Sequence, residues 1–419
     1  MEVRPGYKQT ELGVIPKDWS VKKLGELGEP LIGLTYKPSN VKSDGLLVLR
    51  SSNVEDGALR FDDNVFVDMD VPKKIIARKG DILICVRNGS RDLIGKCAKI
   101  DDRAQGMTFG AFMAVLRTPF HDFVYYQFQS EVIQRQIHEH LGATINQITN
   151  KSLRSFRIPF PEDDAEQRAI ATALGDVDEL LGAMTRLIAK KRDLKQAAMQ
   201  QLLTGQIRLL GFNGEWEVKR FGELFQFLST ANNPRSDLSE FGDVGYIHYG
   251  DIHTNSSAFL DCATEALPMI SKAKVASIST VEDGDLVMAD ASEDYEGIGK
   301  SREVRNVGDR KIVAGLHTFL LRGNREVLSG GFRGYLQFIP SVKAALVRLA
   351  TGISVYGISK TSVKSIQVLM PETREQSAIA AVLSDMDAEI VALEDRLAKT
   401  RALKQGMMQE LLTGRIRLV

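Results

Sequence analysis

Residues Glu166–Leu209 read EQRAIATALGDVDELLGAMTRLIAKKRDLKQAAMQQLLTGQIRL, and residues Glu375–Leu418 read EQSAIAAVLSDMDAEIVALEDRLAKTRALKQGMMQELLTGRIRL. The two stretches align without a gap at an offset of 209 residues (375 − 166), and 24 of 44 positions are identical. A repeat of this length has to be read before any single motif. Each copy predicts one long helix: neither contains a proline, and each closes on Thr-Gly, a helix-stop signal. Apolar residues recur in the first copy at Leu174, Val177, Leu181, Met184 and Ile188, then at Ala198 and Leu202. In the second they recur at Leu383, Met386, Ile390, Leu393 and Leu397, then at Met407 and Leu411. The period, about 3.5 residues, is that of a coiled-coil seam. A helix lying on a core carries a similar stripe, but two unbroken matching copies predict each other as partners. Polar Lys191, Lys195, Thr400 and Lys404 interrupt the two seams at matching places.

Charge predicts the orientation of the pair. Acidic residues crowd the front half of each copy (Glu166, Asp176, Asp178 and Glu179; Glu375, Asp385, Asp387, Glu389 and Glu394). Basic residues crowd the back half (Arg186, Lys190, Lys191, Arg192, Lys195 and Arg208; Arg396, Lys399, Arg401, Lys404, Arg415 and Arg417). Each helix complements its own dipole. Side by side in parallel, like charges would face like, so the pair should be antiparallel. Each exposed ion pair is worth only tenths of a kcal/mol, but the signs add.

Outside the helices the chain repeats a frame. Trp19-Ser-Val-Lys-Lys-Leu-Gly-Glu-Leu27 matches Trp216-Glu-Val-Lys-Arg-Phe-Gly-Glu-Leu224, and Lys79-Gly-Asp-Ile-Leu83 matches Asp283-Gly-Asp-Leu-Val287. Gly142–Ser155 matches Gly352–Ser365. Between these anchors the two halves diverge. Short β-like runs (Leu46–Leu49, Ile82–Val86, Phe112–Leu116, Phe156–Phe160) separated by turn signals, with a helical stretch at Phe123–His140, predict a mixed α/β, mostly antiparallel domain. The expected organisation is an α+β domain over 1–163, a spacer helix over 164–209, a second α+β domain over 210–372 and a second spacer helix over 373–419. After its second helix the chain stops at LLTGRIRLV, and the missing continuation stands at Leu12–Leu27. The second helix should therefore end where the first domain begins, which predicts a circular repeat with an approximate two-fold.

Composition narrows the function. The 419 residues carry 43% hydrophobic and 26% charged residues, as a two- or three-domain globular protein does. Formal charge is zero, 54 basic against 54 acidic residues, so any basic surface is local. No apolar run is long enough to span a membrane, and the first residues do not form a signal peptide. Three scattered cysteines, Cys85, Cys97 and Cys262, predict a reducing compartment, the cytoplasm, and no zinc site. No catalytic constellation is found. Gly297-Ile-Gly-Lys300-Ser301 lacks the first glycine of a phosphate loop, with Asp294 in its place. The pairs His138/His140 and His248/His253 have no further ligands at metal spacing.

What remains is a binding inventory. The first domain offers Arg50, Asn53, Lys73, Lys74, Arg78, Arg87, Asn88, Arg91, Asn146, Gln147, Asn150, Lys151 and Arg154. The second offers His248, Tyr249, His253, Asn255, Lys272, Lys274, Lys300, Arg302, Arg305, Tyr356, Lys360 and Lys364. Such residues near turns suit phosphates and base edges, although any one of them could be plain solvated surface.

The two EQ-A-I-A…L…D-D…LKQ…M-Q-LLTG helices, the Trp-x-Val-Lys-x-x-Gly-Glu-Leu frame and the Gly-Asp-Ile-Leu strand starts together resemble the specificity subunit of type I restriction-modification enzymes. The resemblance covers almost the whole chain. It implies two target-recognition domains, each reading one half of a split double-stranded DNA site. It also implies spacer helices that set the gap and dock two modification (methyltransferase) subunits, through which restriction (motor-nuclease) subunits join. The chain itself would be non-catalytic and without a cofactor: S-adenosylmethionine, ATP and Mg would belong to the partners. The family's strand followed by Arg-x-Gly matches Gly80–Gly89, with Arg87 in the arginine's place. The second domain departs from it at Met288-Ala-Asp290-Ala, so no arginine is carried over there. A two-domain scaffold that binds no DNA and pairs proteins through its helices is the alternative. If the helices act as a ruler, four residues added after Gln200 should lengthen the unread gap by one or two base pairs.

Overall fold

The computed structural model describes residues 4–143, 146–255 and 257–418, so Thr144 and Ile145 of the repeated stretch Gly142–Ser155 lie outside it. The chain packs as two units, Met1–Thr185 with Asp395–Val419, and Arg186–Glu394. The repeats form single helices, Asp164–Leu202 and Thr373–Leu411, of 39 residues each. Each unit thus holds the front half of one long helix and the back half of the other.

Within each unit the two halves run antiparallel. In the first unit, Lys404 pairs with Asp178 at 2.6 Å, and Thr400 meets the Met184 sulfur at 4.0 Å. In the second, Lys191 pairs with Glu389 at 2.6 Å, and Lys195 and Arg192 reach Asp387 and Glu394. The polar residues that interrupt the seam are therefore the ones that hold its register: each has a partner on the facing helix. Along the seam Leu174, Met184, Ile188, Leu202, Leu383, Ile390 and Leu411 are buried. Val177, Leu181, Ala198, Met386, Leu393, Leu397 and Met407 are half-buried, as expected where only two helices meet.

The Glu-Gln that opens each repeat ties the helix to its domain. Glu166 is 1% exposed. It accepts hydrogen bonds from the Trp19 indole N–H (3.0 Å) and from the Arg417 guanidinium (2.8 Å), whose other edge reaches Asp18 (2.8 Å). In the second unit Glu375 accepts from Trp216 (3.0 Å) and Arg208 (2.6 Å). The next residue, Gln167 or Gln376, donates to the carbonyl of Pro161 (2.8 Å) or Pro371 (2.9 Å). The arginine comes from the end of the second helix in the first unit and from the end of the first helix in the second unit, so the helices exchange roles. The Thr-Gly stops belong to the same assembly: Gly205 and Gly414 are left-handed (φ 71° and 68°). A Cβ there would stand 3.3 Å from the Trp216 ring or 2.6 Å from Pro16. The N-terminus also meets the end of the second helix, with the Tyr7 hydroxyl donating to Gly414 O at 2.9 Å.

Arg417→Ala should destabilise the first unit by about 3 kcal/mol, because it leaves a buried carboxylate without its cation. Urea unfolding followed by Trp19 fluorescence is the measurement. Adding Glu166→Gln should recover part of the loss, and an unshifted midpoint would show that the ion pair contributes nothing.

The domain parts are α+β. The first unit has a four-stranded antiparallel sheet in the order Cys97–Lys99, Ile82–Cys85, Met113–Arg117, Glu29–Ile32. A second sheet pairs Leu46–Leu49 in parallel with Thr108–Phe109. The second unit has a five-stranded sheet in the order Phe225–Leu228, Thr318–Gly323, Leu286–Ala289, Ser301–Arg305, Phe259–Asp261. There the strand Val244–Ile247 pairs in parallel with Ile312–Ala314. The repeated Gly-Asp places a buried carboxylate at the start of each central strand. Asp81 takes two bonds from Arg117 (2.9 and 2.7 Å), and Asp285 takes two from Arg322 (3.0 and 2.8 Å). The stretch Phe123–His140 is two helices rather than one, His121–Gln129 and Glu131–Ala143. Ser130 leaves helical geometry between them and accepts the first bond of the second from Gln134 N.

Candidate nucleic-acid interface

In the first unit the strand Ile82–Cys85 delivers Arg87 and Asn88 to one rim of the sheet. The Arg87 backbone bridges to Gln147, and its guanidinium lies 5.0 Å over the ring of Phe112, which is 56% exposed. The Asn88 amide donates to the Ser51 hydroxyl (2.9 Å), beside Arg50, and Arg91 donates to Asn146 (2.7 Å). The structure therefore brings together Arg50, Arg87, Asn88, Arg91, Asn146 and Gln147, from separate stretches of chain. Their protruding groups are mostly hydrogen-bond donors, suited to phosphates and to acceptor base edges.

Other expected contacts lie elsewhere. Asn53 is fully buried and leaves the candidate set: its amide donates to Arg60 O (2.9 Å) and Asp63 O (3.2 Å) and accepts from Arg50 N, so it shapes the rim from beneath. Lys73, Lys74 and Arg78 stand at the opposite end of the sheet, where Lys74 pairs with Glu29 at 2.8 Å and Arg117 donates to Lys74 O. Lys151 is exposed on the short helix Asn150–Ser155.

The second unit builds the same rim with different side chains. His248 follows strand Val244–Ile247 as Arg50 follows Leu46–Leu49: the Asp251 side chain accepts from His248 N, as Asn53 accepts from Arg50 N, both at 2.9 Å. Tyr249 is the centre of an aromatic group, with His248 at 4.5 Å, His317 at 5.6 Å and His253 at 6.0 Å between ring centroids. Burial holds the His248 imidazole below its usual range. Burial also raises the Asp290 carboxyl above its usual range, against the pull of His317. Tyr356 stacks on Tyr295 at 3.9 Å, and its strand pairs with Ala291–Ser292 beside this group.

Here too some expected residues are elsewhere. Arg302 is 1% exposed and leaves the candidate set: it pairs with Glu265 (2.8 Å) and donates to Phe259 O, so it cannot reach a phosphate. Lys272 and Lys274 sit past the far end of strand Val244–Ile247, with Lys274 paired to Asp237 at 2.8 Å. Asn255 accepts from Ser257 N in a turn, and Lys360 lies 5.4 Å from the Phe227 ring. Sequence reading missed Phe112, Tyr295 and His317, and named Asp290 only as the point where the family's arginine is absent. Backbone pairing with Val86 and Asp290 places Phe112 and His317 on the rims, and stacking on Tyr356 places Tyr295.

No group of three or more His, Cys, Asp or Glu side chains is placed to hold a metal among the described residues, and no helix there is long and apolar enough to cross a membrane. The three cysteines are buried and free, and burial pushes the Cys97 thiol up to about 12.

The type I restriction modification DNA specificity domain model matches residues 16–190. The MjaX specificity subunit of Methanocaldococcus jannaschii is 26% identical over 98% of this chain and 97% of its own length. The EcoKI specificity subunit of Escherichia coli K12 is 24% identical over 97% and 90%. A solved S subunit of a type I restriction-modification system from M. genitalium shares the fold, with a TM-score of 0.57, 15% identity and 98% of each chain covered. Over almost its whole length the chain is similar to the specificity subunits of type I restriction-modification enzymes.

Proposed function

We propose that each rim reads one half of a bipartite DNA site and that the paired helices set the gap between the halves. The observation that carries this reading is the matched construction of the two rims: equivalent backbone positions hold Arg50 and His248, and Phe112 and His317, whose carbonyls accept from Val86 N and Asp290 N. One frame presents two different reading surfaces. The stretches 1–163 and 210–372 act as the recognition domains, and 164–209 and 373–419 as the spacers. Two methyltransferase subunits dock on the helices, and motor-nuclease subunits join through them. Exposed apolar residues supply contact surface on the helices: Leu180 and Leu403 in the first unit, Leu187, Leu194 and Val391 in the second. Methyl transfer and ATP-driven cleavage, with S-adenosylmethionine, ATP and Mg2+, are the work of those partners in the cytoplasm.

Replacing residues 28–141 with the same segment of a relative should change one half-site and leave the other half and the gap as they were. The exchanged segment contains Arg50, Arg87, Asn88, Arg91 and Phe112. It also contains Tyr126 and Gln127, whose bonds to Asp178 (3.0 Å) and Leu412 O (2.7 Å) root it, so the donor must keep those two residues. Sequencing methylated sites of the assembled complex gives the answer. Alteration of both halves at once would refute the modular reading.

A further inference from the structure

The two rims differ most at their tips. Val86 N donates to Phe112 O at 3.0 Å as Asp290 N donates to His317 O at 3.1 Å. Ile148 N donates to Val86 O at 2.8 Å as Ile358 N donates to Asp290 O at 2.9 Å. Phe112 and His317 therefore occupy one position, and Arg87 and Ala291 another. In the first unit a guanidinium lies over an exposed ring. In the second, Ala291 is buried and brings no cation, and the ring position carries a histidine whose side chain is 51% exposed. His317 is held in the left-handed region at φ 57°, one of three such non-glycine residues among those described. Strained backbone of this kind collects at functional sites. Its Nδ1 lies 3.3 Å from Asp290 Oδ1, and its ring meets Tyr249 edge-on.

We propose that His317 is the specificity-determining residue of the second unit, and that its Nε2 accepts a hydrogen bond from the exocyclic amine of a base, adenine N6 or cytosine N4. The proposal rests on the DNA-reading function above. An ionised carboxylate can only accept a hydrogen bond, so Asp290 fixes the imidazole proton on Nδ1 and leaves the lone pair on Nε2. In the major groove the amines of adenine and cytosine are the donors such a lone pair can read. Asp290 is a positioning residue, setting the tautomer and the ring plane. The first unit presents mainly donors at its tip, Arg87 above all, which match the O6 and N7 acceptors of guanine. The two half-sites are thus read with opposite hydrogen-bond polarity at equivalent positions.

The test maps methylated sites of the complex assembled with its modification subunit, carrying His317→Gly, Asp290→Asn or Arg87→Ala. Glycine keeps the left-handed backbone and removes only the ring. His317→Gly is expected to lose roughly ten-fold or more of its discrimination at one base pair of one half-site, with the other half and the gap intact. An asparagine at 290 donates to Nδ1 and moves the imidazole proton to Nε2. Asp290→Asn should therefore shift the preference at that base pair from an amine-bearing base to an acceptor such as guanine. Arg87→Ala should act on the other half only. If Arg87→Ala relaxes one half while His317→Gly changes neither, the assignment of His317 is wrong and the DNA-reading function stands. If none of the three changes any half-site, the function itself fails. An unmutated complex that reads a guanine acceptor at the His317-dependent position would overturn the proposed polarity.

Discussion

Adding four residues to both long helices, between Arg186 and Leu187 and between Glu394 and Asp395, is expected to lengthen the unread gap of the DNA target by one or two base pairs. Both half-sites should stay as they are. Four residues add about 6 Å to a helix and rotate its far end by only about 40°, because 3.6 residues make a turn. Base pairs are spaced by roughly 3.4 Å, so the added length is near two of them. The insertion has to be made in both helices, at points that face each other. Met184 with Thr400 on one side and Lys191 with Glu389 on the other bracket the chosen points, so both sets of contacts keep their register. An insertion after Gln200 alone, which the amino-acid sequence taken alone recommends, falls next to Met199, Leu202 and Leu203 in the core of the second unit. It would also displace Arg208 from Glu375. Its expected result is a destabilised second unit and not a longer gap. Sequencing the methylated sites of the doubly lengthened complex is the measurement. An unchanged gap at full activity would show that the helices are not the ruler.

Leu181→Pro, or Ile390→Pro, should abolish assembly with the modification subunits. Proline removes one backbone bond and clashes with the preceding turn, which costs about 3 kcal/mol or more in a helix interior. The seam contact is lost as well: Ile390 is buried and Leu181 half-buried against the facing helix. Each substitution falls in the middle of a 39-residue helix that both units share, so neither unit can retreat from the damage. Co-purification of the modification subunit, with circular dichroism for helix content, reads the effect. Leu181→Ala provides the comparison, since it trims the seam and leaves the backbone bonded. Assembly that survives either proline would place the docking surface away from the helices.

The long helices, their antiparallel sense and the repeated frame around them were legible in the order of the amino acids. These are periodic or duplicated features, and periodicity and duplication are visible in one dimension. Opposed charge at the two ends of each copy was enough to orient the pair, and the structure joins Lys404 to Asp178 and Lys195 to Asp387 as those charges require. Trp19, Trp216, Glu166 and Glu375 stood out as repeated residues, but nothing in their spacing showed that each Trp donates to its Glu across more than a hundred residues. Which polar residues face outward was settled by packing. Arg302 and Asn53 look like surface donors in the sequence and are buried because each satisfies backbone carbonyls and neighbouring side chains that would otherwise be left unpaired. Phe112 and His317 look unremarkable in the sequence and reach the rim because strand register, a long-range property, sets them opposite Val86 and Asp290. A helix is written in neighbours three and four residues apart, whereas a reading surface is assembled from loops that meet only after the strands between them have paired.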